Sequence, residues 1–157
     1  MALEITQIHG VQDPKKLNEE DFIIQNTGDA PLNLRGCEVS KGSPHSRKSQ
    51  KVAKLDPGFV LQPEEAMRVV SGNPRSTVQG DAANDKVENY FLFLKAPYIT
   101  RQGMVIKIQR GQGLLTQAVY DPEKKDGVGE APEAKPKAPK WKVSSTSKKK
   151  KKKRSKK

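Results

Sequence analysis

The residues with the clearest chemistry are the lysines at the C-terminal end of the chain. Residues 148–153 are six consecutive lysines, and Arg154, Lys156 and Lys157 follow them. Neighbouring ammonium groups repel one another and keep the chain open, and extended lysines can follow a phosphate backbone and release its counterions. Lysine is a flexible point charge that reads base edges poorly, so the run predicts binding to nucleic acid without sequence specificity. The alternative is that the run only confers solubility.

The segment before the lysine run adds further cations, spaced by proline and alanine in AKPKAPKWK. Trp141 could stack on an unpaired base, lie in a lipid interface, or have no role. Phosphorylation of Ser144, Ser145, Thr146 or Ser147 would add negative charge and weaken the segment's binding. The predicted nucleic-acid-binding residues are Lys135, Lys137, Lys140, Lys142, Lys148, Lys149, Lys150, Lys151, Lys152, Lys153, Arg154, Lys156 and Lys157.

A second basic stretch lies in the body of the chain. Arg47, Lys48, Lys51 and Lys54 fall within residues 41–54, which lack an apolar pattern and are expected to form a long surface loop. These cations are either an ordinary charged loop or a secondary contact for phosphates, together with Trp141.

Residues that could support catalysis are few. His9 and His45 lie far apart, and the cysteine spacing of metal sites is absent. Cys37 falls in a predicted strand and is expected to be a buried thiol. Glu64 and Glu65 are adjacent, so on a strand they would point to opposite faces and could not readily act on one bond. We therefore expect no enzyme activity, no metal, no cofactor and no small-molecule substrate.

Charge is divided sharply along the 157 residues. The chain has a formal net charge of +12; residues 1–130 contain 17 basic and 17 acidic residues, whereas residues 131–157 contain 13 basic residues and one acidic residue. The N-terminal sequence MALEITQIHG does not resemble a signal peptide, no stretch approaches a membrane span, and Cys37 has no partner for a disulfide. These features predict a soluble intracellular protein with a basic tail for an anionic polymer or surface.

Short apolar runs separated by turn residues occupy the body. They include LEITQI, DFIIQN, PLNLRG, MRVVSG, YFLFLK, MVIKIQ and TQAVY. Many short strands with Gly and Pro between them predict an antiparallel sandwich or barrel. After Tyr120 the sequence is rich in Pro, Ala, Lys and Glu, as in an extended linker. The expected organisation is a β-sandwich at residues 1–122, a linker at 123–147 and a disordered polylysine tail at 148–157.

Two stretches of the body resemble the lamin tail domain family. Residues 22–39, FIIQNTGDAPLNLRGCEV, follow the family's order of an apolar strand, Asn-x-Gly, Pro-Leu-Asn-Leu and Gly. Residues 61–69, LQPEEAMRV, are similar to a later turn that leads into a strand. The chain departs from the family at Cys37, usually Trp, and at Glu64, usually Gly. The resemblance covers roughly residues 3–121 and implies an all-β, immunoglobulin-like antiparallel sandwich that acts as an adhesive module.

The combined expectation is a non-enzymatic adaptor. Its sandwich would contact an unidentified protein and its tail would bind DNA or RNA, in the nucleoid of a bacterium or the chromatin of a nucleus. The alternative is peripheral binding of the polybasic tail to an anionic membrane, although Ala2 and the lack of a C-terminal cysteine provide no lipidation site. The tail could also be a nuclear import signal.

Overall fold

The computed structural model describes residues 2–11, 13–43, 49–76 and 78–129. Within these ranges the chain is almost entirely β, with a single 3-10 turn at Leu17–Glu19. The strands are Leu3–His9 (β1), Asp21–Asn26 (β2), Leu32–Asn33 (β3), Glu38–Gly42 (β4), Ser49–Lys54 (β5), Val60–Leu61 (β6), Ala66–Val70 (β7), Glu88–Phe91 (β8), Val105–Arg110 (β9), Gly113–Tyr120 (β10) and Val128–Gly129 (β11).

Two sheets form a sandwich, which confirms the predicted fold class. The first sheet has the order β1-β2-β7-β8, the second has the order β11-β10-β9-β4-β5, and β3 pairs separately with β6. All strand pairs are antiparallel except β7 and β8, which are parallel. That exception arises because the long connection at residues 71–87 brings the chain back to the end at which β7 started.

Alternate residues of both sheets meet in one core. Phe22, Ile24 and Val69 come from the first sheet, and Val39 and Ile108 come from the second. All five side chains are fully buried, as the period-two pattern of the strands predicts for residues on an inner face. The core therefore fixes which face of each sheet is left for contacts with other molecules.

Cys37 lies in this core. Its side chain is 0% exposed, and it is a free thiol. The prediction of a buried thiol at the position where the resembled family usually has an aromatic residue is therefore confirmed.

The predicted surface loop at residues 41–54 is wrong. Residues up to Gly42 belong to β4, and Ser49–Lys54 form β5, which pairs with β4 as an antiparallel hairpin. β5 is an edge strand whose side chains are mostly exposed. It needs few apolar residues because hydrogen bonds to β4 hold it, so the sequence shows no alternation there.

The sandwich extends beyond the predicted boundary at residue 122. Val128 and Gly129 pair with Tyr120 and Val119, and the Ile8 amide donates a hydrogen bond to the Asp126 carbonyl at 2.9 Å. Residues 123–129, assigned from sequence to the linker, therefore form a turn and a short strand. Val128 packs against the core, but one apolar residue gives no alternating pattern, and backbone hydrogen bonds supply the other contacts described.

A buried carboxylate connects one end of the first sheet to the later part of the chain. Glu20 is 0% exposed; its carboxylate accepts hydrogen bonds from the Ser71 hydroxyl at 2.6 Å, the Ile99 amide at 2.9 Å and the Tyr98 amide at 3.1 Å. Burial raises the pKa of Glu20, and these hydrogen bonds and the charge of Lys41 oppose the rise. Glu20 thereby holds residues 98–99 beside the start of β2.

Gly127 tests whether residues 123–129 are an integral part of the fold. It has a φ of +79°, and a Cβ there would overlap the Ile8 carbonyl oxygen, whereas Gly103, at φ +91°, has no atom within 4 Å of its Cβ position. Gly103→Ala should cost about 1–2 kcal/mol of unfolding free energy through backbone strain alone. Gly127→Ala should cost about 1–3 kcal/mol more through overpacking. Urea unfolding of the full chain measures both, and equal losses would contradict the packing of this segment.

Glu64 offers a second test, because its φ is 73°. Left-handed backbone costs a non-glycine residue about 1–2 kcal/mol, which exceeds the roughly 0.5–1 kcal/mol entropic penalty of glycine. Glu64→Gly should therefore raise the unfolding free energy by up to about 1 kcal/mol. Glu65→Gly is the matched control: it removes the carboxylate that accepts the Gln62 amide at 2.8 Å and should be destabilising. A loss of stability in Glu64→Gly during thermal unfolding would refute the strain at this turn.

Candidate functional site

Most of the predicted binding residues cannot be placed in the fold. The C-terminal lysines 135, 137, 140, 142, 148–153, 156 and 157, together with Trp141 and Arg154, lie outside the described residues, as do His45, Arg47 and Lys48. Lys51 and Lys54 are described, and both belong to edge strand β5. The described cations that could contact a phosphate therefore belong to the sandwich.

Lys51 lies in a polar row that crosses the outer face of the second sheet. The strand register places Lys51 opposite Ser40, Ser40 opposite Lys107, and Lys107 opposite Gln117. Residues directly opposite each other in antiparallel strands share a face, and the next residues along β4 and β9, Val39 and Ile108, are in the core. This row therefore faces away from the core.

Lys54 lies in a neighbouring row on the same face. Lys54 pairs with Glu38, Glu38 with Gln109, and Gln109 with Leu114. A regular strand would place Lys51 and Lys54 on opposite faces, since three positions separate them. A register shift in the β4–β5 pair adds one residue and brings both lysines to one face.

Together these rows form a modestly basic surface, here called the lysine face: Lys51, Lys54 and Lys107, with Glu38 among them. Lys51 Nζ lies 3.4 Å from a Glu38 carboxylate oxygen, so one of the three cations is already paired. Lys107 was not predicted as a contact, because its sequence, VIKIQ, indicates only a strand. The face can contact phosphates, but lysines on an edge strand also prevent edge-to-edge pairing of sheets.

The residues considered for catalysis are separated from one another in the fold. Cys37 is in the core, Glu64 and Glu65 are exposed in the turn before β7, and His9 lies at the end of β1. Within the described parts of the chain, no group of three or more His, Cys, Asp and Glu residues could hold a metal ion.

His9 belongs to a charged network on the outer face of the first sheet. His9 Nδ1 lies 2.7 Å from an Asp21 carboxylate oxygen, and Arg68 Nε lies 3.8 Å from the other oxygen of Asp21. The Arg68 guanidinium donates to both oxygens of Asp85 at 3.1 and 2.7 Å, and to the Asn89 side-chain oxygen at 3.0 Å. Hydrogen bonding to Arg68 holds the pKa of Asp85 below its usual value.

Arg68 and Asp21 are each only 3% exposed, so protein groups rather than water balance their charges. Arg68 Nε contributes only an ion pair to Asp21 and has no hydrogen-bond partner. His9 therefore has a structural role, which is to bind the carboxylate of Asp21. The hydrogen bond to Asp21 raises the pKa of His9, whereas partial burial and the Arg68 charge oppose the rise.

The raised pKa of His9 predicts a pH-dependent stability. Protonated His9 stabilises the fold below its unfolded-state pKa of 6.5, and this contribution is lost as the pH rises through the higher folded-state pKa. Because the ring is half-exposed, the loss should be under about 1 kcal/mol. The measurement is chemical unfolding of the wild type and His9→Gln at pH values below and above this range. Both proteins retain His45, so their difference isolates His9; parallel pH profiles would contradict the prediction.

Similarity to known proteins gives no function for the chain. No family model matches it, and no curated protein matches it by sequence. Among the described residues, no helix has the length and apolar composition needed to cross a membrane. The features that bear on function are the charge distribution along the sequence and the geometry of the lysine face.

Proposed function

We propose that this protein is a non-enzymatic adaptor whose basic C-terminal segment binds nucleic acid without sequence specificity, and whose sandwich contacts another protein. The observation that carries the proposal is the separation of charge along the chain. Residues 1–130 have 17 basic and 17 acidic residues, and residues 131–157 have 13 basic residues and one acidic residue. A neutral body therefore precedes a segment that is almost purely cationic.

The chemistry of lysine supports the nucleic-acid part of this proposal. Each phosphate neutralised by an ammonium group releases condensed counterions, so the affinity depends steeply on salt. Lysine lacks the planar fork with which arginine reads guanine, so contacts would be to the backbone and not to base edges. Such a segment would associate the sandwich with a nucleoid or with chromatin.

The sandwich offers a weaker, secondary contact for the same polymer. Lys51, Lys54 and Lys107 share the lysine face, and Glu38 pairs with one of them. Three cations and one acid give a small positive excess, enough to orient the sandwich beside a phosphate backbone but insufficient to bind it alone at physiological salt.

We further propose that the sandwich is related to the lamin tail domains. Two departures from the family's sequence are compatible with the structure. Glu64, where the family usually has glycine, adopts the left-handed φ of 73° that glycine favours. Cys37, where the family usually has tryptophan, has a buried side chain. Each substitution thus keeps the backbone or burial role of the residue it replaces.

Neutralising the lysine run tests the proposed function. Replacing the six lysines at 148–153 with Gln should weaken binding to duplex DNA at low salt, and should reduce the slope of log affinity against log salt by up to about 5. The measurement is fluorescence anisotropy of a labelled duplex across a salt series. A scrambled duplex of equal length should bind equally well.

A matched control removes the same charge from the body. Its six substitutions to Gln are at Lys15, Lys16, Lys86, Lys95, Lys124 and Lys125. This variant should retain most of the salt slope; an equal loss in both variants would show that only net charge matters and would overturn the tail assignment. Retention on anionic liposomes, without DNA binding, would favour the membrane alternative.

A further inference from the structure

A polar groove lies between the β4–β5 hairpin and the loop at residues 100–104. Its volume is about 560 Å³, within the roughly 300–1,000 Å³ range of small-molecule sites. The polar side chains that line the groove include Lys41, Ser49, Gln50, Thr100, Arg101 and Gln102. Lys41 pairs with Gln50 and Ile106. This row lies on the other face of the second sheet from Lys51 and Lys107, so the groove is separate from the lysine face.

The groove has two cations in its lining, and the neighbouring acids Glu20 and Asp121 lie outside that lining. Lys41 and Arg101 line it, and no Asp or Glu is among its lining residues. Within the described residues, neither cation forms an ion pair. The Thr100 hydroxyl already contacts Met104 Sδ at 3.9 Å, and the Gln102 amide donates one hydrogen bond to Asp121 at 3.2 Å. The Ser49 hydroxyl, the Gln50 amide and the second N–H of Gln102 can donate to a ligand. Such a set of donors is suited to an anion.

Lys41 occupies an unusual position for a lysine. It lies in the row of β4 that faces the core, at the end of the sheet, and is only partly exposed. The charge of Lys41 acts on the buried acid Glu20, whose carboxylate already accepts hydrogen bonds from Ser71, Tyr98 and Ile99. Glu20 and Lys41 form no ion pair, so the ammonium group of Lys41 remains available to a ligand.

The opposite wall is held by hydrogen bonds. The Gly103 amide donates to the Tyr120 carbonyl at 2.8 Å, the Tyr120 amide donates to the Met104 carbonyl at 2.8 Å, and the Thr100 amide lies 3.4 Å from Met104 Sδ. Glu20 fixes Ile99 immediately before this loop. The wall is thus positioned before any ligand binds, which lowers the entropic cost of binding.

We propose that this groove binds the phosphate group of a phosphate ester of about mononucleotide size. A phosphate dianion matches the two cations in charge, and the hydroxyl and amide donors can complete its hydrogen bonds. The phosphate belongs either to a free small molecule or to the end of a nucleic-acid strand. This site does not depend on the lysine tail, so it stands or fails separately from the proposed function.

The test is NMR of the ¹⁵N-labelled full chain titrated with adenosine monophosphate. The amides of Thr100, Arg101 and Gly103 should shift saturably, whichever way the tail lysines interact with the ligand. Lys41→Gln/Arg101→Gln should weaken this binding at least about tenfold, the loss expected when charged hydrogen-bonding groups are removed. Arg101→Gln alone, at an exposed position, serves as the variant least able to disturb folding.

Lys86→Gln/Lys95→Gln is the control, because it removes the same charge outside the groove. It should bind adenosine monophosphate as the wild type does. Absence of saturable shifts at these amides, or equal affinity in the groove and control variants, would overturn the proposal. Adenosine, which lacks the phosphate, should produce no saturable shift; if it shifts the amides as the monophosphate does, phosphate recognition is refuted.

A second titration separates the two sources of the phosphate. Short oligonucleotides with and without a 5′-phosphate will both contact the tail, but only a phosphate that enters the groove shifts the loop amides. Shifts specific to the 5′-phosphorylated strand assign the site to strand ends. Shifts with the mononucleotide alone assign it to a free phosphate ester.

Discussion

The carboxylate of Glu20 is the constraint on which the arrangement of the sandwich depends. It is fully buried, so its charge is tolerated only because a hydroxyl and two backbone amides donate to it. These donors come from Ser71, just after β7, and from Tyr98 and Ile99, in the connection to β9. One side chain at the start of β2 therefore joins three segments that are remote in sequence. Removing the Ser71 hydroxyl would leave the buried carboxylate one hydrogen bond short, which is costly for a buried polar group.

The position of the 100–104 loop follows from this constraint. Glu20 holds Ile99, and the loop then returns to β10 through the hydrogen bonds of Gly103 and Met104 with Tyr120. The loop forms one wall of the groove, and β4 supplies Lys41 to the other. A structural carboxylate that is closed to solvent thus sets the geometry of a basic groove that is open to it.

The body and the C-terminal segment differ in the charges that their sequences contain. In the sandwich many charges have local partners, as in the network of His9, Asp21, Arg68 and Asp85. Opposite charges in such pairs largely cancel, so the outer faces of the sheets carry little net electrostatic potential. The C-terminal segment has only one acidic residue, so its cations lack such partners in the sequence around them. This difference is the basis for proposing that the segment attracts a polyanion and that the sandwich makes shape-dependent contacts.

Several features of the fold could be predicted from the sequence because they depend on local pattern. Alternating apolar residues identified strands such as Leu3–His9 and Val105–Arg110, whose inner positions enter the core. The run at 90–94 was identified as a strand, but β8 ends at Phe91 and Phe93 has a φ of 57°. Local hydrophobicity indicates burial; it does not show where backbone pairing ends.

Two short strands show no alternating apolar pattern in the sequence, although Val52 of β5 and Val128 of β11 pack against the core. The sequence pattern predicts a loop at β5 and a linker at β11, because neither stretch alternates apolar and polar residues. In the fold, backbone pairing with β4 and β10 holds both strands. The lysine face likewise depends on a register shift in the β4–β5 hairpin, which places Lys51 and Lys54 on the same face. Spacing along one strand cannot indicate such a shift in its pairing with another.

The sequence by itself determined that the body is β-rich and that the net charge of the chain lies in the C-terminal segment. Both follow from residue order, which sets periodicity and the distribution of charge. Only the tertiary structure decided which charges are buried, which are paired and which share a surface. Glu20 has no distinguishing sequence pattern, yet its carboxylate is buried and holds remote segments together. Lys41 and Arg101 are far apart in sequence but line the same groove. The physical reason is that burial and electrostatic environment depend on contacts between residues far apart in the chain.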